Sequence, residues 1–83
     1  MYKIKLTAKA RKELKKLSQK NQLSIGYVIE ELKENPLSGK PLTRELTQKY
    51  SYRVGVYRII YKINKKDNIV TIISAGHRAT IYQ

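Results

Sequence analysis

The sequence predicts an α+β domain in which two helices pack on one face of a single antiparallel sheet. Three observations predict it. Apolar residues recur at helical spacing only between residues 8 and 34, they alternate with a period of two from Tyr50 onward, and a short alternating segment precedes the helices. The 83 residues make one domain, residues 1–83, with no internal repeat and no low-complexity segment. A domain this small buries only about 60% of its unfolded surface, so its stability margin is thin.

Tyr2 to Leu6 alternates apolar Tyr2, Ile4 and Leu6 with Lys3 and Lys5, the pattern of a strand with one buried face. Thr7 is a helix N-cap, because its hydroxyl can accept a free N–H of the first turn. A helix follows from Ala8 to about Leu17, with Ala10, Leu14 and Leu17 on one face. Ser18 to Gln22 is a tight turn. A second helix spans roughly Gln22 to Glu34, where Ile25, Val28, Ile29 and Leu32 fall at i, i+3, i+4 and i+7. Asn35-Pro36 ends it, since proline disfavours helical geometry in the preceding residue.

Pro36 to Gln48 is a connection anchored to the core by Leu37, Leu42 and Leu46. Tyr50, Tyr52 and Val54 then alternate with Ser51 and Arg53, and Gly55 marks a turn. The next strand places Tyr57, Ile59, Tyr61 and Ile63 on one side and Arg58, Ile60 and Lys62 on the other. Asn64 to Asn68 is a polar turn. Ile69 to Ala75 is apolar on both sides, which marks a central strand, and Gly76 ends it before a tail from His77 to Gln83.

Charge is the strongest compositional signal: 18 Lys and Arg against 6 Asp and Glu give +12, with a pI near 10.1. Such a field attracts polyanions, with nucleic acid first, an acidic protein second and an anionic membrane surface third. The absence of cysteine excludes a disulfide, a thiolate metal site and a cysteine nucleophile. One histidine and few acids argue against a metal enzyme, so neither metal nor cofactor is expected. No apolar run approaches the ~20 residues of a membrane span. The first residues lack the apolar core of a signal peptide, and the expected location is cytoplasmic.

Helices can cover only one face of the sheet. With Tyr52, Val54, Ile59, Tyr61 and Ile63 facing them, Arg53 and Arg58 point to the open face, one from each strand of a hairpin. Arg78 follows the last strand, with His77 and Tyr82 close by in sequence. These three guanidinium groups, an imidazole and a phenol make a set that suits RNA cleavage. The substrate's own 2′-OH attacks, a base takes its proton, an acid protonates the leaving 5′-oxygen, and cations stabilise the charge that grows on phosphorus. Arginine suits the last role, because its planar fork matches phosphate oxygens and stays charged. His77 titrates in the right range for acid or base work, and Tyr82 serves as base if neighbouring cations favour its phenolate. On residue types alone, nucleic-acid binding without chemistry is the competing reading. Lys9, Arg11, Lys12, Lys15, Lys16 and Lys20 crowd the first helix and the turn after it, with Glu13 the only acid among them. That face is either a phosphate-binding surface or an ordinary solvated helix face.

Two segments carry a family resemblance. Tyr52-Arg53-Val54-Gly55-Val56-Tyr57-Arg58-Ile59-Ile60-Tyr61 resembles the hairpin motif of the RelE/ParE toxin superfamily. Ser74-Ala75-Gly76-His77-Arg78, followed by Tyr82, resembles its C-terminal motif, and Asn35 to Leu42 is similar to its helix-to-sheet linker. The resemblance covers essentially the whole chain and implies a RelE-like fold. RelE-like members are ribosome-dependent endoribonucleases that cut messenger RNA in the decoding site. ParE-like members share the fold and inhibit DNA gyrase.

The motif positions point to the RelE-like branch. Arg58 matches the family's transition-state arginine, Arg78 its general acid and Tyr82 its general base. His77 matches a histidine of many relatives and competes for the acid–base work. Arg53 matches one of two basic residues on its strand. Ser51 stands at the other, and Lys49 is the nearest replacement for binding RNA. The resemblance implies a toxin that cleaves messenger RNA on the 70S ribosome and inhibits translation, without a metal. Its implied partner is an acidic, RelB-like antitoxin in a hetero-oligomer, with operator DNA reached only through that antitoxin and no membrane partner. The alternatives are a ParE-like gyrase inhibitor and a non-catalytic module that binds nucleic acid or antitoxin.

Overall fold

The computed structural model describes residues 1–41 and 49–77, with residues 40 and 41 described by their backbone alone. Among these residues five strands form one sheet in the order β1 (Lys3–Leu6), β5 (Ile69–His77), β4 (Tyr57–Asn64), β3 (Lys49–Val54), β2 (Lys40–Pro41). Two helices, α1 (Ala8–Lys15) and α2 (Gln19–Glu34), link β1 to the rest of the sheet. The sheet is mixed, which corrects the expectation of a wholly antiparallel sheet, while β3 with β4 and β4 with β5 pair antiparallel as expected. β1 runs parallel to β5, and the two-residue β2 pairs antiparallel with β3 at the far edge. As expected, β5 is central: it has strands on both sides along Ile69 to Ile72.

Local chemistry explains most boundaries. The Thr7 hydroxyl accepts from the Ala10 N–H at 3.0 Å, so Thr7 is the N-cap of α1. The turn between the helices is shorter than expected, because Ser18 caps α2 by accepting from the Asn21 N–H at 3.3 Å. Helix α2 therefore starts at Gln19. Gly55 has φ +60° at the first position of a two-residue hairpin loop, a geometry that costs glycine no steric penalty. Between β4 and β5, Asn64 accepts from the Asp67 N–H and donates to its carboxylate, both at 3.1 Å. Asn68 takes the left-handed conformation there, with φ 57°.

Residues Tyr61, Ile25, Leu32, Ile59, Ile72 and Val70 are fully buried between helices and sheet. Tyr52, Val54, Ile59, Tyr61 and Ile63 all join this core, as their alternation predicted. The anchoring of the connection differs. Leu37 is 54% exposed, and Pro36 is buried in its place. Leu42 and Leu46 lie outside the described residues.

Tyr61 fastens the start of the connection. Its hydroxyl donates to the Pro36 carbonyl at 2.7 Å and accepts from the Gly39 N–H at 3.0 Å. A Cβ on Gly39 would meet that hydroxyl and come within 2.7 Å of the Ser51 carbonyl, so only glycine fits there.

Burial pushes the Tyr61 phenol up to about 12, partly offset by the Gly39 N–H bond, which favours the phenolate. A pKa raised in the folded state contributes stability that is complete below the unfolded value near 10 and disappears as pH rises through the folded value. Urea titrations should therefore show about 2–3 kcal/mol lost between pH 10 and 12. Tyr61→Phe should be less stable at neutral pH by about 1–3 kcal/mol and lack that alkaline loss. A variant with the wild-type alkaline profile would remove Tyr61 as its source.

Candidate functional site

The open face of the sheet follows from strand register. Residues opposite one another across a strand pair share a face, and side chains alternate along each strand. Since Ile59, Tyr61 and Ile63 point to the helices, Arg58, Ile60 and Lys62 point away. Arg53 pairs with Arg58, Ser51 with Ile60, and Lys49 with Lys62. The structure thus brings Arg53 and Arg58 together on the open face, as their sequence positions predicted.

Arg58 is half-buried, with its Nε buried, whereas Arg53 is exposed. Both line a cleft of about 450 Å³ together with Ser38, Gly39, Ser51 and Tyr52. Like charges directly opposite in a sheet are destabilising. Two guanidinium groups held at one register position therefore provide a place for an anion, and a phosphate could bridge their forks. Ser51, at the position of the missing basic residue, is 8% exposed beside this pair.

Strand β5 departs from simple alternation. Ile60 pairs with Ser74 but Tyr61 pairs with Ile72, so Ile73 is an extra residue, a β-bulge. The bulge switches which residues face the core: Val70 and Ile72 before it, Ala75 after it. Gly76 consequently lies opposite Arg58 on the open face and adds no side chain there. His77 lies opposite Tyr57, on the helix side, with the two rings edge to face at 6.0 Å. This corrects the expectation that His77 converges with the arginines. Tyr57 is in turn tied to α2, accepting from Asn21 Nδ2 at 3.0 Å. Arg78 and Tyr82 lie outside the described residues.

Two groups pin the bulge. The Thr7 hydroxyl donates to the Ile73 carbonyl at 2.9 Å, and the Thr7 N–H donates to the Ile72 carbonyl at 3.1 Å. One carboxylate oxygen of Glu13, in α1, accepts from Ser74 Oγ at 2.9 Å and from the Ala75 N–H at 3.1 Å. The lone acid of that basic segment is therefore a strut of the sheet. Lys9, Arg11, Lys12 and Lys15 on α1 and Lys16 at its C-cap are all exposed, and Lys49 is partly exposed on the open face. Across the sheet on the helix side, the Glu31 carboxylate accepts from the Tyr52 phenol and pushes its pKa up. Among the described residues, no three His, Asp or Glu side chains gather as metal ligands. No described helix is long and apolar enough to cross a membrane.

Residues 4–82 match the family of ParE toxins of type II toxin–antitoxin systems, parDE. The chain belongs to this toxin family. Among curated relatives, toxin RelG of Mycobacterium tuberculosis is 37% identical over 84 residues, covering 99% of this chain and 97% of RelG. Toxin RelE of the same organism is 33% identical, covering 99% of this chain and 87% of its own. The RelBE2 toxin–antitoxin complex of Mycobacterium tuberculosis contains a chain that superimposes with a TM-score of 0.84 at 35% identity, covering 93% of the toxin and 98% of that chain. The isolated RelE toxin of E. coli, at 23% identity, shares the fold with a TM-score of 0.81, over 99% of the toxin and 92% of its own chain. The RelE-like architecture expected from the motifs is thus present, with β1 placed before the helices and parallel to β5.

The Glu13 strut is testable by urea denaturation. Glu13→Ala leaves the buried Ser74 hydroxyl and the Ala75 N–H without this acceptor and should cost about 1–3 kcal/mol. Glu13→Gln keeps an amide oxygen in the same place and should restore most of the loss. Equal losses in both variants would point to charge, not hydrogen bonding, as the contribution of Glu13.

Proposed function

We propose that the toxin is a metal-independent endoribonuclease that cuts messenger RNA on the ribosome. The observation that carries this reading is the Arg53–Arg58 pair, held across one register position of the open face beside a cleft. A phosphodiester seated there meets a half-buried guanidinium at the point where negative charge grows. In that partly desolvated position, electrostatic stabilisation counts for more than at the surface. The 2′-oxygen attacks the adjacent phosphorus, the base takes its proton, the bond to the 5′-oxygen breaks, and the acid protonates that oxygen. The products are a 2′,3′-cyclic phosphate and a free 5′-hydroxyl.

In this reading Arg58 stabilises the transition state and Arg53 binds the neighbouring phosphate. Arg78 is the acid and Tyr82 the base, both by their match to the family motif. His77 is the weaker choice for base, because it stands on the helix side of β5, opposite Tyr57. Lys9, Arg11, Lys12, Lys15 and Lys16 serve as contacts to ribosomal RNA, and Lys49 as a contact on the open face.

The partner we infer is a RelB-like acidic antitoxin. Its support is the net charge of +12 and the relatives solved as toxin–antitoxin complexes, RelBE2 of Mycobacterium tuberculosis and RelBE of E. coli. Between α1 and α2, Leu6, Leu14, Ile25 and Ile29 line an apolar groove with Arg11 and Lys15 beside it. That combination fits an amphipathic helix with acidic residues along its flank. Gyrase inhibition is the second reading, favoured by the ParE description of the matching family.

Primer extension on a defined messenger RNA in a reconstituted translation mix tests the proposal. New 5′ ends inside codons should appear only when ribosomes are present. Arg58→Ala should slow their formation by about 10²–10³-fold. Arg58→Lys should recover only part, because it keeps the charge without the fork. Arg78→Ala and Tyr82→Phe should relieve growth arrest while the circular dichroism stays that of the wild type. Intact messenger RNA with blocked gyrase supercoiling would replace this reading with the second.

A further inference from the structure

The open face carries a second row of cations that the cleavage chemistry does not use. Lys49 pairs with Lys62, Lys62 with Thr71, and Thr71 with Lys5 of β1. Three lysines thus lie in one line across four strands, on the same face as Arg53 and Arg58. The row between them, Ser51–Ile60–Ser74, carries no charge. Along β4, Lys62 is four residues from Arg58, a separation of roughly 13 Å at the rise of an extended strand.

Two features make this row more than a solvated surface. Lys49 and Lys62 stand directly opposite each other, so the sheet holds a second like-charge pair where it loses stability. Lys5, Lys49 and Lys62 also form no ion pair with any described carboxylate; Lys33 and Glu30 on α2 form the only one among the described residues. Beyond the row, the turn after β4 adds Lys65 and Lys66 around one shallow depression shared with Lys5, Lys62 and Thr71. Asp67 is the sole acid on that rim, and its carboxylate already accepts from Asn64.

We propose that Lys5, Lys49 and Lys62 form an anchoring row that grips the sugar–phosphate backbone of single-stranded RNA away from the bond to be cut. The inference rests on the nuclease reading for the identity of the strand and deepens it. The arginine row holds the reacting phosphate, and each lysine of the second row meets one phosphate further along the strand. Lysine suits this role, since a flexible point charge tolerates any base and any local backbone geometry. An acidic polypeptide is the competing occupant. A strand face with repeated cation rows and a gap between them fits a polyanion with regularly spaced charges better than a helix with one acidic side.

The test is equilibrium binding of a 2′-O-methyl oligouridine dodecamer, which cannot be cleaved, over a range of salt concentrations. Each phosphate contact to a single strand contributes about 0.7 to the slope of log affinity against log salt. The combined variant Lys5→Gln, Lys49→Gln, Lys62→Gln should lower that slope by about two. A 2′-O-methyl dinucleotide, whose single phosphate reaches one row, should bind both proteins alike. An unchanged dodecamer slope overturns the proposal, as does an equal loss for the dinucleotide. Selective loss of polyglutamate binding, with RNA unaffected, assigns the row to a protein instead and also overturns it. Primer extension separates this result from the nuclease reading: cleavage without the slope change sinks only the anchoring row, and the slope change without cleavage sinks only the nuclease.

Discussion

The structure depends on how β5 changes neighbours halfway along its length. Over Ile69 to Ile72 it is paired on both sides, and beyond that β1 has left to become the cap of α1. A buried central strand cannot leave its backbone groups unpaired without a cost of about 1–3 kcal/mol each. Thr7 and Glu13 take over where β1 stops. One supplies donors to the carbonyls of Ile72 and Ile73, and the other supplies an acceptor for the Ala75 N–H. The bulge at Ile73 sits at this handover, and every side chain after it faces the side opposite to what simple alternation gives.

That handover determines the site. With the bulge, the residue opposite Arg58 on β5 is Gly76, which adds no side chain of its own to the open face. A strand without the bulge would carry His77 onto the arginine face and turn Ala75 out of the core. The same device binds α1 to the sheet through Glu13, so the helix layer and the register of the C-terminal strand are one mechanical unit. In a domain with a thin stability margin, this explains why one carboxylate survives within a segment of lysines and arginines.

Much of this was legible in the sequence wherever one face of an element is polar. The β3 and β4 strands alternate cleanly, and their inward residues and the Arg53–Arg58 pair follow from the pattern alone. Thr7 is readable as a cap because hydroxyl chemistry at a helix start is local. The bulge is not readable, since Ile69 to Ile73 is apolar at nearly every position and a period of two leaves no trace there. The misplaced His77 follows directly from that silence. The pairing of β1 with β5 is equally hidden, because it joins residues more than sixty apart and depends on tertiary packing. Lys3 and Lys5 could have been assigned to the open face from their alternation with Tyr2, Ile4 and Leu6, but only once β1 was known to belong to the same sheet.

Net charge alone would make the toxin a fast and indiscriminate ligand for any polyanion. Selection has to come from where the charges sit. At physiological salt the Debye length is about 8 Å, shorter than the roughly 13 Å between the arginine and lysine rows. The rows are therefore largely screened from each other, and on the proposed reading a bound strand meets them as separate contacts, whose energies add. The exposed lysines are weakened by salt in the same way as any surface charge. Arg58 is not, because its partly buried guanidinium works in a lower dielectric and gives up less of its interaction to water. On the proposed nuclease reading, capture thus belongs to the exposed cations and discrimination of the reacting phosphate to the half-buried one. The division follows from burial, since both kinds of residue carry the same formal charge on the same face of one sheet.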